Sequence, residues 1–186
     1  MGFTIIVFAK APIPGRVKTR LGLAPEEAAR LHERFAGVTL KLCQQLGLPV
    51  ELHTDEPTGA WPEFTGPRFL QAAGELGTRM LAAIERRTPA LLLGSDAPTL
   101  PVSHLLRLME STDDVTLGPT EDGGYYAIAC RRWRPDLFAG VNWSSSTTCE
   151  ETLRAARGCG LTAGTGPIWF DVDTCADLER LPLELR

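Results

Sequence analysis

No run of apolar residues in this sequence approaches the roughly 20 that cross a bilayer, so no membrane partner is expected. Basic charge is also in short supply: 19 Lys plus Arg stand against 23 Asp plus Glu, a net charge of −4. A surface for nucleic acid or an anionic membrane needs a basic footprint, so any cationic function has to be local. Cysteine is sparse and scattered. Cys43, Cys130, Cys149, Cys159 and Cys175 are odd in number and contain no C-x-x-C pair, and His32, His53 and His104 make no metal-ligand spacing with them. Reduced, mostly buried thiols are expected, not a disulfide framework or a structural zinc. The apolar run Phe3 to Ala9 lacks a charged segment before it and a small-residue cleavage site after it. The expectation is therefore a cytoplasmic chain without a signal peptide.

What is present suits one domain over residues 1–186: 44% of the residues are hydrophobic, enough for a sizeable core. Phe3 to Phe8 is a continuous apolar, β-branched run, as in a strand buried on both faces. Pro25, with Glu26 and Glu27 behind it, starts a helix that Leu31, Phe35, Val38, Leu42 and Leu46 continue and Gly47 stops. Further strands are expected over 49–54, 68–71, 90–93, 114–117, 125–130 and 168–172. Helices are expected over 76–87, 102–110, 147–157 and 177–181. Strand and helix alternate through most of the chain, which calls for an α/β fold with a largely parallel sheet and helices on both faces.

Ligands of open α/β sheets sit beyond the carboxyl ends of the strands, so the segments after each strand carry the functional question. The first is KAPIPGRVKTRL, residues 10–21, with Lys10, Arg16, Lys18 and Arg20 and no acid. Pro12, Pro14 and Gly15 restrict it, and clustered cations with free amides suit phosphate. Neither a Walker A loop nor G-x-G-x-x-G is present. The second is LLLGSDAPTLP, where Ser95 and Asp96 follow a buried strand. Asp96 suits Mg²⁺ or Mn²⁺, the alternative being a helix cap, for which Ser103 is better placed. The third, LGPTEDGGYY, offers Glu121, Asp122, Gly123 and Gly124, either beside a ligand or as an ordinary hairpin turn. The fourth, FDVDTCADL, offers Asp171 and Asp173. Their alternation on a strand points one to the ligand and leaves the other for a structural task such as capping the last helix. The serines after Trp143 read as caps, with the indole available to line a pocket.

These segments resemble a known family along nearly the whole chain. FAKAPIPGRVKTRL, QAAGELGTRM, LLGSDAPTLP, LGPTEDGGYYAIA, LFAGVNWSSST and DVDTCADLERL are similar in order and spacing to the bacterial family DUF2064. That family is also described as radical-SAM/selenodomain-associated transferases, of the GT-A nucleotide-diphospho-sugar transferase superfamily. Some members are called arsenosugar-biosynthesis glycosyltransferases. The chain departs from the pattern at Glu75, where Asp is usual, and in WSSST, where Trp-Ser-Thr-Glu is usual and the acid is missing or shifted to Glu150. The resemblance implies a GT-A fold: a three-layer α/β/α arrangement with a mixed, mainly parallel sheet, Rossmann-like in its first half. It implies a nucleotide over the basic loop (Lys10, Gly15, Arg16, Lys18, Arg20, with Ser95) and a Mg²⁺ or Mn²⁺ ion on Asp96 and Asp173. Glu121, Gly123, Gly124 and Trp143 would border the sugar or acceptor, with Asp122 the first choice for an acceptor-side base.

The function expected on this basis is metal-dependent glycosyl transfer from a nucleoside-diphosphate sugar. Nucleotidyl transfer from a nucleoside triphosphate, with release of pyrophosphate, is the alternative, because four cations in one acid-free loop suit a triphosphate as well. A non-catalytic nucleotide-binding protein is the third reading. The expected partner is a nucleotide or nucleotide sugar. Oligomeric state is open.

Overall fold

The computed structural model describes residues 2–186. Seven strands form one sheet: β1 (Thr4–Ala9), β2 (Val50–Thr54), β3 (Arg68–Leu70), β4 (Ala90–Leu93), β5 (Val115–Pro119), β6 (Tyr125–Cys130) and β7 (Ala163–Thr165). Their order is β3-β2-β1-β4-β6-β5-β7. β6 runs antiparallel to both β4 and β5, and the other pairings are parallel. The helices are α1 (Pro25–Gln44), α2 (Leu76–Arg87), α3 (Val102–Glu110), α4 (Thr148–Gly158) and the short α5 (Cys175–Leu178). Among the described residues no helix is long and apolar enough to cross a membrane.

The two-residue period of β1 sorts its side chains between two cores. Ile5, Val7 and Ala9 pack with Ala36, Leu40 and Cys43 of α1 and with Leu105 and Leu108 of α3. Ile6 and Phe8 face the other way, against Met80, Ala83 and Ile84 of α2 and Ala156 of α4. The result is a three-layer α/β/α arrangement with the mixed, mainly parallel sheet in the middle. A third, smaller core joins Leu21, Leu31 and Phe35 to Val172 and Leu181. It draws the segment after β5–β7 back over the loop that follows β1.

Three expectations need correction. Residues 168–172 form no strand; they make one isolated bridge, Thr120 to Trp169. The ladder strand lies earlier, at β7, in a Gly-rich stretch without the apolar alternation that announces a strand. Ser103 does not cap α3. Pro101 holds the N-cap position with φ −68°, no side chain caps it, and Ser103 lies inside the first turn. Neither Asp171 nor Asp173 caps the last helix, which begins at Cys175. Thr174 is its N-cap, in a reciprocal capping box with Asp177.

Candidate functional site

The carboxyl ends of β1, β2, β4 and β5 lie along one edge of the sheet. Because β6 is antiparallel, its amino end and the turn before it stand on that edge too. The loop after β1 is fixed there by acids that follow β2. The Ala11 amide donates to Asp55 Oδ1 at 2.7 Å, and Arg16 pairs with Glu56 and, at 4.0 Å, with Asp55. Arg16 is thus engaged at the rim. His32 Nε2 donates to the Lys10 carbonyl at 3.0 Å. Burial lowers the His32 pKa against the opposing pull of Asp96 and of this hydrogen bond. These tethers were missed in the sequence because the partners sit in other segments.

Lys18 has a different place. Its backbone is left-handed, φ 49°, and its neighbours Val17 and Leu21 are buried. The side chain is 4% exposed, and its ammonium sits between two carboxylates: Asp96 Oδ1 at 2.5 Å and Asp173 Oδ1 at 3.1 Å. It also donates to the Val172 carbonyl at 2.5 Å. Burial opposes its charge, but the two acids outweigh burial and raise its pKa; in the same way Lys18 outweighs the burial of Asp96 and holds that carboxyl below its ordinary value. The Val172 amide donates to the Asp96 carbonyl at 2.9 Å, which locks the two acid-bearing segments together. Asp96 and Asp173 remain 47% and 44% exposed, so their outer sides are open to a ligand.

Asp171 lies in the field of Asp122, Asp173 and Asp96, and burial together with those charges pushes its pKa up to about 6. Asp122 forms the core of the β5–β6 turn: its Oδ1 accepts from the Thr120 hydroxyl at 2.5 Å and from the Gly124 amide at 3.0 Å. The hairpin and the acid cluster are therefore the same object. Glu121 is held by Arg180 at 2.7 and 2.9 Å. Gly123, φ 91°, lies so close to the next loop that a Cβ would fall 1.9 Å from the Ser146 carbonyl oxygen.

Trp143 is half-buried against Phe138 and Tyr125, its ring on Gly77 at the start of α2. Glu150 is the acid nearest the WSSST segment on the helix that follows it. It pairs with Arg154 on the exposed face of α4, while Glu151 receives the Asn142 amide at 2.7 Å and the Thr147 hydroxyl at 2.9 Å. Ser95 is buried beneath the site. Gly15 takes a left-handed turn with φ 79°. Lys10 and Arg20 are exposed, with no carboxylate partner among the described residues. Hollows beside Trp133 and Trp61 lie away from these strand ends.

The donor set fits a hard divalent ion in one specific way. Among the described residues no three His, Cys, Asp or Glu side chains come close enough to hold a metal by themselves. Asp96 and Asp173 do meet at one cation position, with the charges of Asp171 and Asp122 nearby. Mg²⁺ and Mn²⁺ are commonly held by one or two carboxylates, with phosphate oxygens and water completing the shell.

A doubly wound first half, one reversed strand and acids gathered at the strand ends define a nucleotide-diphospho-sugar-transferase-like fold. The chain belongs to the family DUF2064, "Uncharacterized protein conserved in bacteria", whose sequence profile matches residues 33–145. A candidate nucleotide-diphospho-sugar transferase from Desulfovibrio desulfuricans G20 is 30% identical. That likeness covers 94% of this chain and 84% of the other, with a TM-score of 0.83. Two more distant structures share the fold. The bifunctional IspDF of Campylobacter jejuni is 13% identical over 97% of this chain and 54% of its own, with a TM-score of 0.61. A hypothetical transferase from Thermus thermophilus is 15% identical over 96% of this chain and 100% of its own, with a TM-score of 0.58. No curated protein matches the chain.

Proposed function

We propose that this protein is a glycosyltransferase that uses a nucleoside-diphosphate sugar, with Mg²⁺ or Mn²⁺ on Asp96 and Asp173. The observation that carries the reading is the meeting of these two carboxylates at the strand ends, beside a loop rich in cations. Lys10 and Arg20, which have no carboxylate partners among the described residues, are available to phosphate oxygens, and Gly15 lets the loop turn around them. Arg16 adds positive field from its fixed position at the rim. The bound ion would offset charge on the diphosphate as it leaves. Asp122 keeps Oδ2 outside its turn bonds, so it is the group assigned to take the acceptor's proton. Glu121, Gly123, Gly124 and Trp143 form the rim on the acceptor side.

Nucleotidyl transfer is the second reading, favoured by the cations of the first loop, of which Lys10 and Arg20 have no carboxylate partner among the described residues. The two reactions differ in product: a nucleoside diphosphate for one, pyrophosphate for the other.

The test is a thermal-shift panel of nucleoside diphosphates, triphosphates and nucleotide sugars, each with and without Mn²⁺. A ligand at about 100 times its Kd adds roughly 2.7 kcal/mol of stability. Stabilisation that needs the metal and is lost in Asp96→Asn is expected. No shift with any nucleotide would end the transferase reading.

A further inference from the structure

We propose that Lys18 is a built-in counter-ion at the cation position of Asp96 and Asp173, and that a divalent ion reaches these carboxylates only by displacing its ammonium. The proposal rests on the reading that these two acids hold the metal.

An ammonium has three donors, and Lys18 has three acceptors within 3.1 Å: Asp96 Oδ1, Asp173 Oδ1 and the Val172 carbonyl. Its side chain is 4% exposed, so water competes little for these bonds. The tether is equally fixed. Val17 and Leu21, 3% and 0% exposed, anchor the loop on either side, and the backbone between them is held at φ 49°, where a non-glycine residue is rarely found. A surface lysine searching for partners would show none of this.

Two carboxylates that share one ammonium repel each other strongly without it. Lys18 therefore keeps the pair assembled while no other cation is bound. A divalent ion needs the same oxygens, and two cations cannot occupy one position. Metal entry then leaves the ammonium without its anions, in a place where an unpaired charge is costly. An incoming phosphate provides a new partner for it. Metal and phosphate thus favour each other's binding, and by linkage the coupling is reciprocal.

The experiment is titration of Mn²⁺ alone, without nucleotide, into wild type, Lys18→Met and Lys18→Gln, with free ion read by electron paramagnetic resonance. Both variants are expected to bind Mn²⁺ at least about ten-fold tighter than wild type, and the gain is expected to vanish when Asp96→Asn is added to Lys18→Met. Equal affinity in wild type and variants overturns the counter-ion role and leaves the metal site standing. No binding in any of the proteins overturns both. A second readout needs no variant: the ¹⁵N signal of the Lys18 ammonium in wild type. It is expected to move and lose its protection from water exchange as Mg²⁺ saturates the site. An unmoved signal at saturation overturns the proposal.

Discussion

Arg180 closes on the carboxylate of Glu121 with both terminal nitrogens, at 2.7 and 2.9 Å, while its guanidinium lies 3.7 Å from the centre of the Phe170 ring. One side chain therefore fastens the final helical segment to the β5–β6 turn and covers the residue next to Asp171. Glu121 is exposed, but the bidentate geometry sets it apart from an ordinary surface pair.

Replacing Arg180 with Ala is expected to loosen this fastening locally. Amide hydrogen exchange should quicken in residues 169–174 and in the 120–124 turn, with little change in β1 or β4. Uniform quickening across the sheet, or none at all, would show that the pair does not hold the two segments together.

The acid cluster gives a pH signature with a definite sign. Burial and the charges of Asp122, Asp173 and Asp96 push Asp171 from an ordinary value of 3.8 up to about 6. Its native form holds a proton more tightly than its unfolded form. The contribution to stability is thus present below about pH 4 and is lost as pH rises through about 6. Asp171→Asn should match wild type near pH 4 and exceed it above pH 6. Melts across that range check this; a difference that does not vary with pH would refute the cluster's repulsion.

Much of the frame was legible in the sequence. Phe3 to Phe8 announces a strand buried on both sides, and Pro25 with its two glutamates announces the start of α1. What stayed hidden depends on distant partners or on residues without a pattern. The β7 strand, Ala-Gly-Thr, has neither bulk nor alternation, and its pairing with Val115–Leu117 defines it. The acid-free loop groups Lys18 with the phosphate-binding cations; the acids it pairs with arrive from two other parts of the chain. Arg16 met its acids across the sheet edge in the same way. The turn at Asp122 reads as either a hairpin or a ligand border, and the structure shows a hairpin whose acid stands near Asp171.

Two glycines with left-handed backbone should respond very differently to substitution. Gly123→Ala places a Cβ 1.9 Å from the Ser146 oxygen, a backbone atom that cannot swing aside. Gly15→Ala meets nothing within 4 Å. The second is expected to cost about 1–2 kcal/mol in backbone strain alone, the first about 3 kcal/mol or more. Urea melts of both variants decide it, and equal costs would mean the Gly123 contact relaxes freely.

Thiol reactivity should follow burial. Cys175 is exposed, whereas burial raises Cys43 and Cys130 to about 12. A disulfide reagent at pH 8 is expected to label Cys175 first and to reach Cys43 and Cys130 only in denaturant. Peptide mapping by mass spectrometry reads the order directly, and early labelling of Cys43 would contradict the packing of α1 on the sheet.

The contact between Lys18 and Asp173 spans 155 positions of sequence. Synthesis from the amino end brings the lysine out first, then Asp96, and Asp173 much later. Until residues 172–173 arrive, Lys18 lacks two of its three acceptors, the Val172 carbonyl and the Asp173 carboxylate. Contacts of such long range form slowly, because the entropy of closing so large a loop comes before any gain. The two carboxylates that share this ammonium therefore meet only after the chain has been made as far as residue 173.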